Sequence, residues 1–182
     1  EQVAKMVQDQ GYKFRITLDH SHVIFKIDNP EEQKIFNIDK DINEGKLILD
    51  PYKEGNICDK WIKSNFIHHM HARSTVPNNP KNIYAKHPDG SMGRGIQYPF
   101  VEPLPGQYHE KWNGELLDRW KLVIKSIIDY HYSNKDSSLE QITTEFIAPT
   151  DYGAGWKYSI FNNNVQCAKW MRKIANEAKL NV

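Results

Sequence analysis

The sequence predicts an α/β chain whose strands run parallel. Three segments rich in β-branched and aromatic residues, 12–18, 66–72 and 141–147, read as strands. Each follows a helix-like stretch and runs into a loop, an alternation that implies parallel strands joined by crossover helices. Each strand also ends in a side chain that binds hard metal ions: Asp19, His71 and Glu145. Ligands at the C-terminal ends of successive parallel strands are how a (β/α)8 barrel builds a divalent-metal site, so the expected architecture is part of such a barrel.

The elements follow in order. Residues 1–11 read as a helix with Val3, Met6 and Val7 on one face and Gly11 as its stop. The polar stretch 29–46, opened by Pro30, accommodates a short helix or two. Residues 59–63, with Ile57 and Trp61 four apart, form a short amphipathic helix before the second strand. Loop 74–107 holds six of the nine prolines and four of the ten glycines. A loop of that length is uncommon without a job, and it leaves directly from the histidine-bearing strand, so it is read as an active-site loop rather than a surface insertion. Residues 108–130 carry the strongest helical period, with Trp112, Leu116, Leu117, Trp120, Val123, Ile124, Ile127 and Ile128 at threes and fours. A last helix spans about 163–179, with Val165, Ala168, Met171, Ile174 and Ala175 inward.

At 182 residues the chain suits one domain, 1–182, with a real core. Hydrophobic content of 39% and charged content of 26% are those of a globular protein. A net charge of +1 advertises neither nucleic acid nor an anionic membrane as a partner. No apolar stretch approaches a spanning length, and no signal-peptide pattern opens the chain. Cys58 and Cys167 lack metal-knuckle spacing and read as reduced thiols on helices, making the cytoplasm the default location. The first residue is Glu1 rather than methionine, so upstream sequence is expected.

Asp19, His69, His71 and Glu145 are the candidate ligands. Strand alternation places His69 and His71 on one face, with His68 and Met70 on the other. A carboxylate–imidazole–carboxylate set suits Mn²⁺, Mg²⁺, Co²⁺ or Zn²⁺ and leaves positions for substrate oxygens. Any one of these residues alone is as readily an ordinary polar side chain at a strand end; three in register point to a metal. His20 and His22 flank Asp19, and in Asp-x-x-His the histidine can hydrogen-bond a substrate hydroxyl. Arg73 can hold a hydroxyl-rich or anionic substrate, or serve as a salt-bridge partner. Trp156 offers a sugar ring an apolar wall, or packs its own loop.

Several motifs resemble those of the xylose-isomerase-like barrel proteins, the sugar isomerase/epimerase superfamily. Leu18-Asp19-His20-Ser21-His22 resembles that family's sixth-strand Asp-x-Ser-His motif, and His71-Ala72-Arg73 its seventh-strand His-Ala-Arg. Gly95-Ile96-Gln97-Tyr98-Pro99 resembles a Gly-Pro-Gln-x-Pro loop. Thr144-Glu145-Phe146, followed by Pro149 and Tyr152, resembles the eighth-strand Glu-Phe-Gly-Pro motif. The resemblance implies the C-terminal β6-α6-β7-α7-β8-α8 part of the barrel. It implies Asp19, His71 and Glu145 as metal ligands, Glu145 also as a catalytic base, and His22, Arg73 and Gln97 near a small sugar or polyol substrate. Proton transfer next to a carbonyl then runs through an enediolate. The family's second catalytic glutamate sits on the fifth strand, for which this chain has no counterpart. A complete barrel needs eight strands, so an N-terminal barrel half or a partner chain is expected to supply the rest, with homo-oligomers another possibility.

Two other classes compete. The apurinic endonucleases share the barrel and an Asp-x-x-His, but need a further Asp-x-His near the seventh strand and a basic groove. Here the loop after His71 carries Asp89-Gly90-Ser91, and the one Asp-x-His, Asp129-Tyr130-His131, lies at a helix end. A non-catalytic binding or assembly subunit keeping the fold is the third class. Bound metal discriminates it from an enzyme.

Overall fold

The computed structural model describes residues 2–77, 89–91, 96–148 and 157–181. Helix α1 (Gln2–Asp9) ends before Gly11, whose φ of +80° turns the chain into β1 (Ile16–Asp19). Three short helices follow: α2 (Ser21–Ile24), α3 (Pro30–Ile35) and α4 (Asp39–Asn43). Asn29 caps α3 by accepting the Glu32 N–H, with Pro30 at the first helical position. Helix α5 (Ile57–Lys63), capped by Asn56, leads into β2 (Ile67–Ala72). Helix α6 (Asp118–Ser133), β3 (Gln141–Thr144) and α7 (Ile160–Leu180) complete the order. The three strands form one parallel sheet in the order β1-β2-β3, as the alternation predicts.

One face of the sheet is covered. Leu18, Met70 and Ala72 point into a core shared with Ile24 and Ile27 after β1, Ile62 of α5, Trp120, Val123, Ile124 and Ile127 of α6, and Cys167 and Met171 of α7. Burying each such side chain stabilises by about 1.5–3 kcal/mol, so this layer is the main attraction holding the sheet to its helices. The opposite face carries Arg15, Thr17 and Asp19 from β1 and its approach, His69 and His71 from β2, and Gln141 and Thr143 from β3. That face is polar throughout, and no helix of the described residues covers it.

The structure revises several boundaries. His68 does not share the buried face with Met70. The register jumps from Ile16 opposite Ile67 to Thr17 opposite His69, so His68 is the extra residue of a bulge. Its ring lies 3.1 Å from the Arg15 guanidinium, 3.1 Å from the Ser138 carbonyl and 3.5 Å from Glu140. The long helix begins at Asp118 rather than Tyr108. A 3₁₀ turn, Gly114–Leu117, precedes it, and the Trp112 indole donates back to the Pro99 carbonyl instead of extending the helical face. Helix α7 begins at Ile160, three residues earlier than its apolar pattern, because Ser159 caps it by accepting the Asn162 N–H. Its most buried side chains are Asn163, Cys167, Met171 and Ala178, while Val165, Ala168, Ile174 and Ala175 are half-buried. On α1 only Ala4 is buried, and Val3 and Met6 stand exposed. No helix of the described residues is long and apolar enough to cross a membrane.

Both cysteines are free and buried on helices, α5 and α7, and burial pushes each thiol up to about 12. The folded protein is therefore expected to leave both unmodified by a thiol reagent at pH 8. Fast stoichiometric labelling without unfolding would contradict the packing. The stability linked to the protonated thiols is fully present below pH 9 and lost as pH rises from 9 toward 12. The loss is readable as a urea midpoint that falls between pH 9 and pH 10.

Candidate metal centre

The register sets the centre. Asp19, last in β1, lies opposite His71 of β2, and His71 lies opposite Thr143 of β3. Glu145 follows two residues after Thr143 on the same face, its N–H still donating to the Ala72 carbonyl at 3.1 Å. Parallel pairing therefore delivers one ligand from each of three adjacent strand ends. Their ligating atoms all lie within 4.8 Å of one another, and each residue is half-buried.

Each ligand is held by a specific partner. Ser21 opens α2, and its N–H donates to Asp19 Oδ1 at 3.1 Å while its hydroxyl donates to the same oxygen. The Arg73 guanidinium, buried beneath the site, donates to Asp19 Oδ2 and to the Ser21 hydroxyl, and meets His22 Nε2 at 3.0 Å. His22 Nε2 is also 3.5 Å from Asp19 Oδ2. His71 Nδ1 sits 3.0 Å from Glu145 Oε2. One layer below, His69 Nε2 pairs with the Thr143 hydroxyl at 2.8 Å, and its ring meets the His71 ring edge-on. Burial, with His71 and His68 nearby, lowers the His69 pKa.

The donor set fits a divalent ion. Bonds of about 2.0–2.2 Å place neighbouring ligand atoms roughly 3 Å apart, so drawing the three atoms together takes side-chain shifts of about an ångström. Two carboxylates and one imidazole supply hard oxygen and borderline nitrogen, and their partial exposure leaves positions for a substrate. Partners such as Ser21 and Arg73, which fix ligand orientation, belong to a functioning metal centre as much as the ligands do.

Other expected site residues fall out differently. Arg73 is 1% exposed, and its guanidinium bonds to Asp19, Ser21 and His22, which is the salt-bridge arrangement of the two expected for it. Gln97 is 0% exposed, and its amide carbonyl accepts the Ile147 N–H at 2.9 Å, so its side chain is committed to the backbone after Glu145 rather than turned to open space. His22 is exposed enough to meet a ligand. Trp156, Pro149, Tyr152 and Gly95 lie outside the described residues. His20, though next to Asp19, turns to the other side. It is fully buried, stacked on Trp120 with ring centroids 5.2 Å apart, with Nε2 3.2 Å from the Trp120 carbonyl. Burial drives its pKa down to about 4 against the opposing pull of Asp19, so near neutrality it is an uncharged packing residue.

Sequence reasoning placed Ser21 in a motif without giving it a role, and passed over Asn164. Ser21 had a readable signal, since a serine two residues after an aspartate at a helix start favours such a turn. Asn164 had none, because its partner is the backbone of Phe146, 18 positions away.

The chain matches no protein-family model, no curated protein and no solved structure.

Proposed function

We propose that this chain carries the metal-binding portion of a divalent-metal-dependent sugar isomerase or epimerase built on a (β/α)8 barrel. The observation that carries the reading is the convergence of Asp19, His71 and Glu145 within 4.8 Å at the same ends of three parallel strands. When bound, Mn²⁺, Mg²⁺, Co²⁺ or Zn²⁺ supplies Lewis acidity that polarises a substrate carbonyl and stabilises the enediolate. Glu145 takes a proton from the carbon beside that carbonyl and returns it. His22, exposed beside Asp19, hydrogen-bonds a substrate hydroxyl, while Arg73 and Ser21 fix the Asp19 carboxylate. The polar open face of the sheet, from Thr17 to Thr143, suits a small sugar or polyol.

Proton transfer on both faces of the carbon requires a second carboxylate. In this reading it lies on a further strand paired to β1. Two features support additional strands. Among the described residues both β1 and β3 have an unpaired edge, which proteins ordinarily cover. Helix α1, preceding β1, also leaves Val3 and Met6 exposed on its apolar face.

A second reading has its own observation. Asp19 is already ion-paired to Arg73, and Glu145 already lies 3.0 Å from His71 Nδ1, so each carboxylate has a partner without an ion. That favours a non-catalytic assembly subunit that keeps the fold. Titration with Mn²⁺, followed by calorimetry and by the paramagnetic signal of free ion, separates the two. One saturable site, lost in Asp19→Asn, is expected for the enzyme. No saturable binding up to millimolar Mn²⁺ overturns it in favour of the subunit.

A further inference from the structure

The backbone after Glu145 leaves the sheet, and its N–H groups need partners that the strand ladder no longer offers. The last ladder bond is from Glu145 N–H to Ala72. Beyond it, Phe146 N–H donates to Asn164 Oδ1 at 3.3 Å, and Ile147 N–H donates to Gln97 Oε1 at 2.9 Å. The other side of the Gln97 amide faces the Tyr158 hydroxyl at 3.5 Å.

Gln97 is itself tied to the exit of the histidine strand. Tyr98 N–H donates to the Ser74 carbonyl at 2.8 Å, the Ser74 hydroxyl returns a bond to the Tyr98 carbonyl, and the Thr75 hydroxyl bonds the Ile96 carbonyl. These anchors follow directly on His71-Ala72-Arg73. A continuous hydrogen-bonded path therefore runs from the His71 strand through residues 74–75, across to 96–98, and through the Gln97 amide to the residue two after Glu145. We infer that Gln97 is a positioning residue: it fixes Glu145 relative to His71 for metal binding, with Asn164 gripping the same backbone from α7.

This inference rests on the metal-site reading above, and it goes beyond that reading by giving the proline-rich loop a role in ligand geometry. A full-length, same-shaped apolar side chain tests it. Gln97→Met fills the buried space but offers no acceptor to Ile147. Affinity for Mn²⁺, measured by calorimetry well below the melting temperature of the metal-free protein, is expected to fall 10- to 100-fold, the range typical of groups that orient metal ligands. Gln97→Glu, which keeps a carboxyl oxygen facing Ile147, is expected to restore affinity to within a few-fold. If Gln97→Met does not fold, Asn164→Ala frees the Phe146 N–H from the other side and is expected to lower the affinity likewise. A wild-type site that binds Mn²⁺, with Gln97→Met binding it equally well, overturns the role of Gln97 alone. A wild type that binds no Mn²⁺ overturns the metal site and this inference with it.

Discussion

Glu145→Gln is expected to abolish isomerase or epimerase turnover while the protein stays folded. The substitution keeps the shape of the side chain and removes two things the proposed chemistry needs. An amide cannot accept and return a proton near neutral pH, and its neutral oxygen is a far weaker ligand for a hard cation than a carboxylate. Little else depends on the charge. Glu145 is about one-third exposed, and its contact with His71 Nδ1 at 3.0 Å can be made by an amide. The change in folding stability is expected to stay within about 1 kcal/mol, in keeping with a partly solvated pair. The assay is turnover of the barrel-complete protein with Mn²⁺ or Co²⁺, alongside a melt of the variant. Normal turnover in Glu145→Gln would remove Glu145 from the mechanism.

Trp120→Ala is expected to be the most damaging single substitution for stability. The indole is fully buried, stacked on His20 and in edge or tilted contact with Phe100 and Trp170 at about 6 Å between centroids. Truncating a buried tryptophan costs about 3–5 kcal/mol, which in a chain of this size lowers the melting temperature by about 10 °C or more. The indole N–H finds no acceptor among the described residues, so Trp120→Phe gives up no hydrogen bond and is expected to cost less than half as much. Equal losses in the two variants would mean that the ring's volume is not what matters. The same cavity reaches the candidate site indirectly, since His20 rests on Trp120 and adjoins Asp19.

The alternation of strand and helix was legible in the sequence because it is written in local period; β2, α5 and α7 fall close to where those periods place them, while β1 starts four residues later than expected and β3 ends three earlier. The meeting of the three candidate ligands was legible for a related reason. Asp19, His71 and Glu145 each sit at the point where a strand-forming run gives way to a loop, and parallel pairing brings such points together. Contacts across long separations were not legible. The His68 bulge depends on how β2 registers against β1, and nothing within residues 66–72 announces an extra residue. Arg73 reads alone as either a substrate-facing cation or a salt-bridge partner; only the fold reveals that Asp19 and Ser21, more than fifty positions back, surround it. The start of α6 was misplaced because Trp112 fits the helical period yet is satisfied by the Pro99 carbonyl.

The order of strands in the sheet repeats their order along the chain, and this has a bearing on how the protein can change. Arg15 meets His68 across 53 positions, and His68 meets Ser138 across 70. Chain closure on that scale depends only weakly on length, each doubling costing about 0.6 kcal/mol. The excursion between β2 and β3 can therefore lengthen, shorten or be exchanged at small thermodynamic cost, provided the short run around Gln97 returns to its place beside Ser74. The scaffold thus separates what is free to diversify from what must stay fixed: the loop can be remodelled while the strand ends that carry Asp19, His71 and Glu145 remain untouched.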